Sequence, residues 1–406
     1  MKNPIKAICA ALAFVFLSGC ASLWEREFFV RSPHLAQDDS VVTSLTANSQ
    51  DSLQNAIIGV IRNGEEQANI RVTGYPGGLT RLIISELLAD IQKREAIGAY
   101  ALDYIAFDLT NVLSQYTITL QIVYNHKIRP AILPVSGRRE LEEAVHAALR
   151  EHSPLLTVEL LYYNEREHDV ESMADSFYYS NPVWAMEYPE IAVNLYPSSG
   201  NILRRIIELE LDWQTPADTL EEKSRETDAG AERLLSGLPE FRGSAEEQAA
   251  QTVLWLHDTL CEAVLYDTDT AIHAYQIGER LGGDSYTAFG ALVKGEAVSE
   301  GYAMAFKLLC DRLGIDCSVV TGSWNMSRHA WNLVKIGNTW YHTDIALNDR
   351  GPVPVYDYFL LDDESAEQAT FDWDKSATRA ALPGQWTAES ILALSSEDIT
   401  EDDPEQ

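Results

Sequence analysis

The chain has 406 residues, of which 46% are hydrophobic, and 62 acidic against 30 basic side chains give it a formal net charge of −32. Such an acidic surface lacks the clustered Lys and Arg that nucleic acid rewards, and it disfavours adhesion to anionic lipid through the protein surface. The hydrophobic share is enough for substantial cores, and the length points to two or three domains.

Lys2 and Lys6 are followed by an apolar run, Ala7 to Leu17, too short to span a bilayer and laid out like an export signal. The run ends in Leu17-Ser18-Gly19-Cys20, which resembles a lipobox. Residues 1–19 are therefore expected to be a lipoprotein signal peptide, with Cys20 the lipidated first residue of the mature chain. The plainer alternative is an ordinary signal with an incidental cysteine. Acyl chains contribute about 0.8 kcal/mol per buried methylene, so stable tethering needs more than one chain. The expected location is the cell envelope, exported and lipid-anchored. Ala21 and Ser22 include no aspartate of the kind associated with inner-membrane retention, which favours the outer membrane where there are two.

Once Cys9 leaves with the signal and Cys20 is consumed by lipid, Cys261, Cys310 and Cys317 remain. They allow at most one disulfide, with Cys310 and Cys317 the nearest pair, or they are three small buried hydrophobes. No CxxC or Cys/His ligand spacing appears, so no cysteine-based metal site and no cofactor is implied.

Residues 20–50 mix polar and apolar types without period and read as a stalk. Residues 51–214 read as an α+β region. Leu53, Ala56, Ile57, Val60 and Ile61 recur at helical spacing, Asn69–Tyr75 alternates as a strand, Leu79–Ile91 is helical, and Tyr116–Tyr124 is β-rich. A similar order follows: a helix at Arg139–Glu151, a strand at Leu155–Tyr163, a helix at Glu167–Tyr179, and strands at Glu190–Tyr196 and Ile202–Trp213. The recurrence suggests two related halves. His126, His146, His152 and His168 lack ligand spacing and read as surface groups. Residues 215–243 are charge-rich, either a linker or a helix packed on the next domain.

Residues 244–390 form the last expected domain, and 391–406 an acidic, disordered tail. Ser244 with Glu247 three residues on is a capping-box pattern opening a helix whose apolar face is Val253, Leu254, Leu256, Leu260 and Ala263. A Thr-, Asp- and Gly-rich loop is expected after Tyr266-Asp267. Ser299 then heads a helix that runs to Gly314, followed by strands at Cys317–Thr321, His329–Ile336 and Trp340–Asp344, the last two joined by Gly337-Asn338. A helix N-terminus stabilises an anion and can receive an oxyanion. A histidine on a neighbouring strand can take a proton, and an acid on the next strand can fix its tautomer. A two-residue turn at Gly337-Asn338 places Asp344 opposite Trp331, with His329 its diagonal neighbour on the same face.

Tyr286 to Asp344, together with Val298-Ser299-Glu300-Gly301-Tyr302-Ala303, His329-Ala330-Trp331-Asn332 and Trp340-Tyr341-His342-Thr343-Asp344, resembles the core of the transglutaminase-like superfamily of papain-like thiol enzymes. Leu256-His257-Asp258, Tyr266-Asp267, Tyr358-Phe359-Leu360-Leu361 and Leu382-Pro383-Gly384 extend the likeness over residues 245–385. The resemblance implies a helix packed on an antiparallel sheet, with Ser299 at the nucleophile position, His329 as base and Asp344 as its orienter. It assigns support of strand and cleft to Trp331 and Asn332, and a core position to Tyr302. Two departures stand out: Ser299 replaces the family cysteine, and Ile345-Ala346-Leu347-Asn348-Asp349 replaces a T-W-D-D-like run. The expectation is a domain that has lost thiol catalysis and serves binding or scaffolding toward an envelope or cell-wall peptide or protein. The alternative is a Ser299-dependent hydrolase or acyl transferase acting on peptide or peptidoglycan-type amides. A metal site drawing on His342, His329 and Asp344 or Asp349 is the weakest reading, since no complete ligand set is visible.

Overall fold

In a computed structural model of the chain, residues 43–113, 115–125, 131–277 and 282–397 are described. The signal segment, Cys20, His126 and residues 398–406 lie outside them. The chain divides into two compact units, one comprising residues up to Ala131 with Leu195–Ile206, the other Ile132–Asn194 with Ile207 onward. No helix among the described residues is long and apolar enough to cross a membrane.

The first unit runs β1 (Thr43–Ala47), α1 (Gln50–Asn63), β2 (Gln67–Thr73), α2 (Arg81–Arg94), α3 (Ala96–Ala101), β3 (Leu102–Val112) and β4 (Gln115–Tyr124). Its sheet has the order β1-β2-β4-β3, with β1 parallel to β2 and the other pairs antiparallel. β1 falls inside the segment read as a stalk. Five residues are too few for alternation to register, and the strand is defined by its pairing with β2. α1 opens on a capping box in which Ser49 and Ser52 exchange hydrogen bonds, closes at Gly64 in the left-handed conformation, and buries Leu53, Ile57, Val60 and Ile61.

The next elements are β5 (Leu133–Val135), α4 (Arg138–Arg150), β6 (Leu155–Leu160), α5 (Val170–Ser180), β7 (Glu190–Tyr196) and β8 (Arg205–Asp212). Their sheet has the order β5-β6-β8-β7, again with the first pair parallel. Element order and strand order match those of the first sheet, apart from the extra short helix α3.

The histidines here are not the surface groups expected. His168 is 4% exposed, accepts the Asn164 N–H at 3.0 Å and stacks on Tyr163. His146 turns Nε2 toward the Met173 carbonyl at 3.1 Å. His152 is 6% exposed at a positive φ of 50° and packs edge-on against Trp213 at 5.0 Å. In each case an apolar neighbour covers the ring, which single-sequence spacing does not reveal.

The 215–243 segment contains a helix, α6 (Ala217–Leu235), that buries Leu220, Ser224, Thr227, Gly230 and Ala231. These small residues share one face, so the charge-rich composition conceals a packing surface. At Gly230 an added Cβ would lie 3.0 Å from the Leu292 carbonyl oxygen, a close backbone approach that glycine permits.

The C-terminal part comprises α7 (Ala245–Ala263), β9 (Leu265–Tyr266), α8 (Thr268–Ile277), β10 (Glu296–Ala297), α9 (Ser299–Leu313), β11 (Cys317–Trp324), β12 (Ser327–Ile336), β13 (Thr339–Thr343), α10 (Ile345–Asn348), α11 (Asp363–Gln368), β14 (Phe371–Trp373) and α12 (Ala388–Glu397). The Ser244–Glu247 capping box forms as the sequence implies. The sheet β13-β12-β11-β14 is antiparallel throughout. α9 lies against it, burying Met304, Phe306 and Leu309 with Leu256, Leu260, Val334 and Ile336 in one core cluster. Asn332 ties helix to sheet by donating Nδ2–H to the Ala303 carbonyl at 2.9 Å. Two expectations change here. α8 occupies the stretch expected to be a loop, and α12 covers 388–397 with Ile391 fully buried, so residues 391–397, expected to belong to a disordered tail, are helical. Cys261, Cys310 and Cys317 are all free and buried.

Candidate active site

Ser299 stands at the first position of α9 because Val298 is extended and its N–H donates to the Ser285 carbonyl at 3.0 Å. Two residues on, Gly301 lets the helix press against that segment: a Cβ there would lie 2.4 Å from the Ser285 oxygen. Valine at the N-cap supplies no side-chain oxygen, so no side chain caps this end. First-turn amides lack intrahelical acceptors and carry the positive end of the helix dipole, so Ser299 sits where negative charge is stabilised.

His329 and Asp344 meet through the register of β12 and β13. Ile336 pairs Thr339 around Gly337, which has φ +61°, and Asn332 pairs Thr343. One further step places Asp344 opposite Trp331 and His329 diagonally across, the geometry expected from a two-residue turn. His329 Nε2 lies 2.5 Å from Asp344 Oδ2, with both side chains buried. Asp344 is held from three directions: Oδ1 accepts the Leu347 N–H at 3.0 Å, its own N–H donates to the Tyr358 carbonyl at 2.8 Å, and Nε2 of His329 takes Oδ2. Trp331 stacks on His329 with centroids 6.3 Å apart. With Nε2 committed to the carboxylate, the other ring nitrogen is the one left for proton exchange.

Ser299 and His329 both line an open cavity of about 620 Å³. Its walls are α8, through Ile272 and Tyr275, and the β11–β12 hairpin, through Trp324, Met326 and Arg328. Ser299 Oγ makes no hydrogen bond to His329 or to any other described side chain. The hydroxyl therefore lies in the same cleft as the His–Asp pair without being joined to it.

A model of the transglutaminase-like superfamily matches residues 241–345. Those residues form a transglutaminase-like domain. Among solved structures, one named only as a TGase is 12% identical, covering 65% of this chain and 68% of its own, with a TM-score of 0.26. A candidate cysteine protease from Cytophaga hutchinsonii is 16% identical, covering 39% of this chain and 62% of its own, with a TM-score of 0.23. No curated protein matches the chain.

Several polar groups of the transglutaminase-like domain that the sequence reading left unassigned form one network behind Asp344. Asn348 donates Nδ2–H to His257 Nε2 at 3.0 Å and accepts the Tyr358 N–H at 3.0 Å. Because His257 Nε2 accepts, its Nδ1 carries the proton and faces Asp258 at 2.8 Å, and Asp258 accepts the Tyr356 hydroxyl at 3.1 Å. Asn348, part of the departure from the family run, is thus the anchor of the turn that carries Asp344. Its neighbour Asp349 accepts the Tyr302 hydroxyl at 2.6 Å, and burial raises both pKa values above their ordinary ranges. Tyr302 is core, as the likeness implied. His257-Asp258, Tyr358 and the Asn348-Asp349 pair each stand out in the sequence, but spacing alone does not connect them to one another.

His342 is kept apart from the His329–Asp344 pair. Its Nδ1 accepts the Trp331 indole N–H at 2.9 Å and its Nε2 donates to Asp363 at 2.9 Å, so both nitrogens are engaged elsewhere. Burial holds its pKa below the usual imidazole value despite the Asp363 carboxylate. That removes it from any ligand set with His329.

Proposed function

We propose that the protein is an exported envelope lipoprotein, tethered through Cys20, whose transglutaminase-like domain binds a polypeptide segment in the Ser299–His329 cleft without thiol catalysis. One observation carries the reading: the cleft is open, yet Ser299 Oγ has no hydrogen bond to His329. A serine nucleophile works through a base about 2.6–3.2 Å away, directly or by way of one water, and a C–O bond reaches less far than the C–S bond it replaces. The partner is an envelope or cell-wall peptide or protein, and nucleic acid is disfavoured by the charge of −32.

The buried His329–Asp344 pair and the helix end without a side-chain cap favour a second reading, a Ser299-dependent hydrolase or acyl transferase on peptide or peptidoglycan-type amides. A serine-directed fluorophosphonate probe separates the two. The binding reading expects purified protein to stay unlabelled, whereas labelling that disappears in His329→Ala would replace it with the hydrolase. The anchor is tested separately: Cys20→Ser should move the protein from the membrane to the soluble fraction.

A further inference from the structure

Four of the chain's exposed large hydrophobics border this cleft: Met326 is 97% exposed, Tyr275 76%, Ile272 50% and Tyr266 38%. Single exposed apolar residues are ordinary, but their grouping around a cavity marks a contact surface. Met326 is also conformationally unusual. Trp324 pairs Ser327, so Asn325 and Met326 form a two-residue turn with φ of 48° and 64°. That turn type prefers glycine at its second position. A long side chain held there touching almost nothing is backbone strain at the rim of a site.

The charges around the cleft are equally asymmetric. Among the described residues lining it, Arg328 is the one cation and Glu300 the one acid. Glu300 is 5% exposed and accepts the Tyr179 hydroxyl at 3.3 Å. The Arg328 guanidinium is exposed and makes neither an ion pair nor a hydrogen bond, in a chain of 62 acidic residues. A guanidinium matches a carboxylate through two parallel N–H···O bonds.

We infer that Arg328 is the specificity determinant of the cleft, which takes an extended peptide presenting a carboxylate side chain to Arg328 and an adjacent apolar side chain to the wall between Tyr275 and Met326. This rests on the binding reading above. The cavity of about 620 Å³ is of the size typical of ligand pockets, roughly 300–1,000 Å³. The overall charge of −32 repels acidic partners at long range, so the preference for acid must come from this contact.

The test is calorimetric titration of the full chain at low salt with two N-acetylated, C-amidated tetrapeptides, Ala-Leu-Glu-Ala and its Gln counterpart. The Glu peptide is expected to bind about tenfold more tightly, a charge-assisted bidentate pair being roughly twice a neutral one. Arg328→Gln should abolish that preference, weakening the Glu peptide more than the Gln peptide, while leaving the melting temperature unchanged. Tyr275→Ser should weaken both peptides equally. Equal affinities in the natural chain, or a preference that survives Arg328→Gln, overturn the inference and leave the binding reading standing. If neither peptide binds, both fall. A chain ending at Glu397 that gains affinity for the Glu peptide would make the chain's own acidic end the occupant and overturn an external partner.

Discussion

Restoring sulfur at the head of α9 asks whether the activating groups still act on position 299. In Ser299→Cys the thiolate would meet the positive helix end, worth about 0.3–1 kcal/mol and up to about 2 in partly buried geometry. A protonated His329 would add a charge-assisted hydrogen bond of roughly 1.5–3 kcal/mol. Burial opposes both: position 299 is 8% exposed, and the buried Cys261 and Cys310 thiols are pushed far above their ordinary range, chiefly by desolvation. Together the two gains are about 2–5 kcal/mol, and whatever part of them exceeds the desolvation cost appears as a lowered thiol pKa, one unit per 1.36 kcal/mol. The introduced thiol should titrate below the ordinary thiol value of about 8.5. The assay is the iodoacetamide alkylation rate across pH, followed by mass spectrometry. Cys261, Cys310 and Cys317, all buried, serve as internal controls. Adding His329→Ala should raise the midpoint by about one unit or more. A midpoint at or above about 8.5 that ignores His329→Ala would refute the reasoning, because the helix end and the imidazole would then not act on this position.

Three further outcomes follow from the packing. His152 is buried with both ring nitrogens unpaired, and burial lowers its pKa. The folded state thus binds fewer protons than the unfolded chain, and stability should fall as pH drops below about 6.5, by at most about 1.4 kcal/mol per unit. His152→Phe keeps a ring against Trp213, should add about 1–2 kcal/mol in urea unfolding at pH 7, and should flatten that acid slope; a net loss would contradict it. Asn348→Ala leaves the buried His257 Nε2 and the Tyr358 N–H without their partner and should cost about 2–4 kcal/mol, read by chemical denaturation. Met326→Gly should raise stability by about 1 kcal/mol by relieving the left-handed backbone, measured as a shift in thermal midpoint, and an unchanged midpoint would show that the turn is not strained.

Local signals carried the C-terminal domain well. The Ser244–Glu247 cap, the helix start at Ser299 and the hairpin at Gly337-Asn338 each depend on a few adjacent residues, and register arithmetic from that hairpin sufficed to bring His329 against Asp344. What stayed hidden depends on partners far along the chain. β1 is a strand through its pairing with β2, and α6 buries a face of Ser, Thr, Gly and Ala that no hydrophobicity pattern marks. α8, which walls the cleft, begins in a Thr- and Asp-rich stretch that reads as a loop. The contact between Asn348 and His257 spans 91 positions, and nothing in either local sequence announces it.

The supports of the His–Asp pair all run away from Ser299. Asp344 is fixed by Leu347, by the Tyr358 carbonyl and, through Tyr358 and Asn348, by His257, while His329 is packed by Trp331 and Phe371. None of these contacts includes the residue at the helix head. Exchanging sulfur for oxygen at position 299 therefore leaves the pair where it is, and the pair's good geometry is not by itself evidence of turnover. Ser299 Oγ makes no hydrogen bond to His329, and the walls of the cleft stand beside both residues. Those walls hold an unpaired guanidinium and a strained, exposed methionine, two features that bracing the sheet does not require and that contact with a ligand would use.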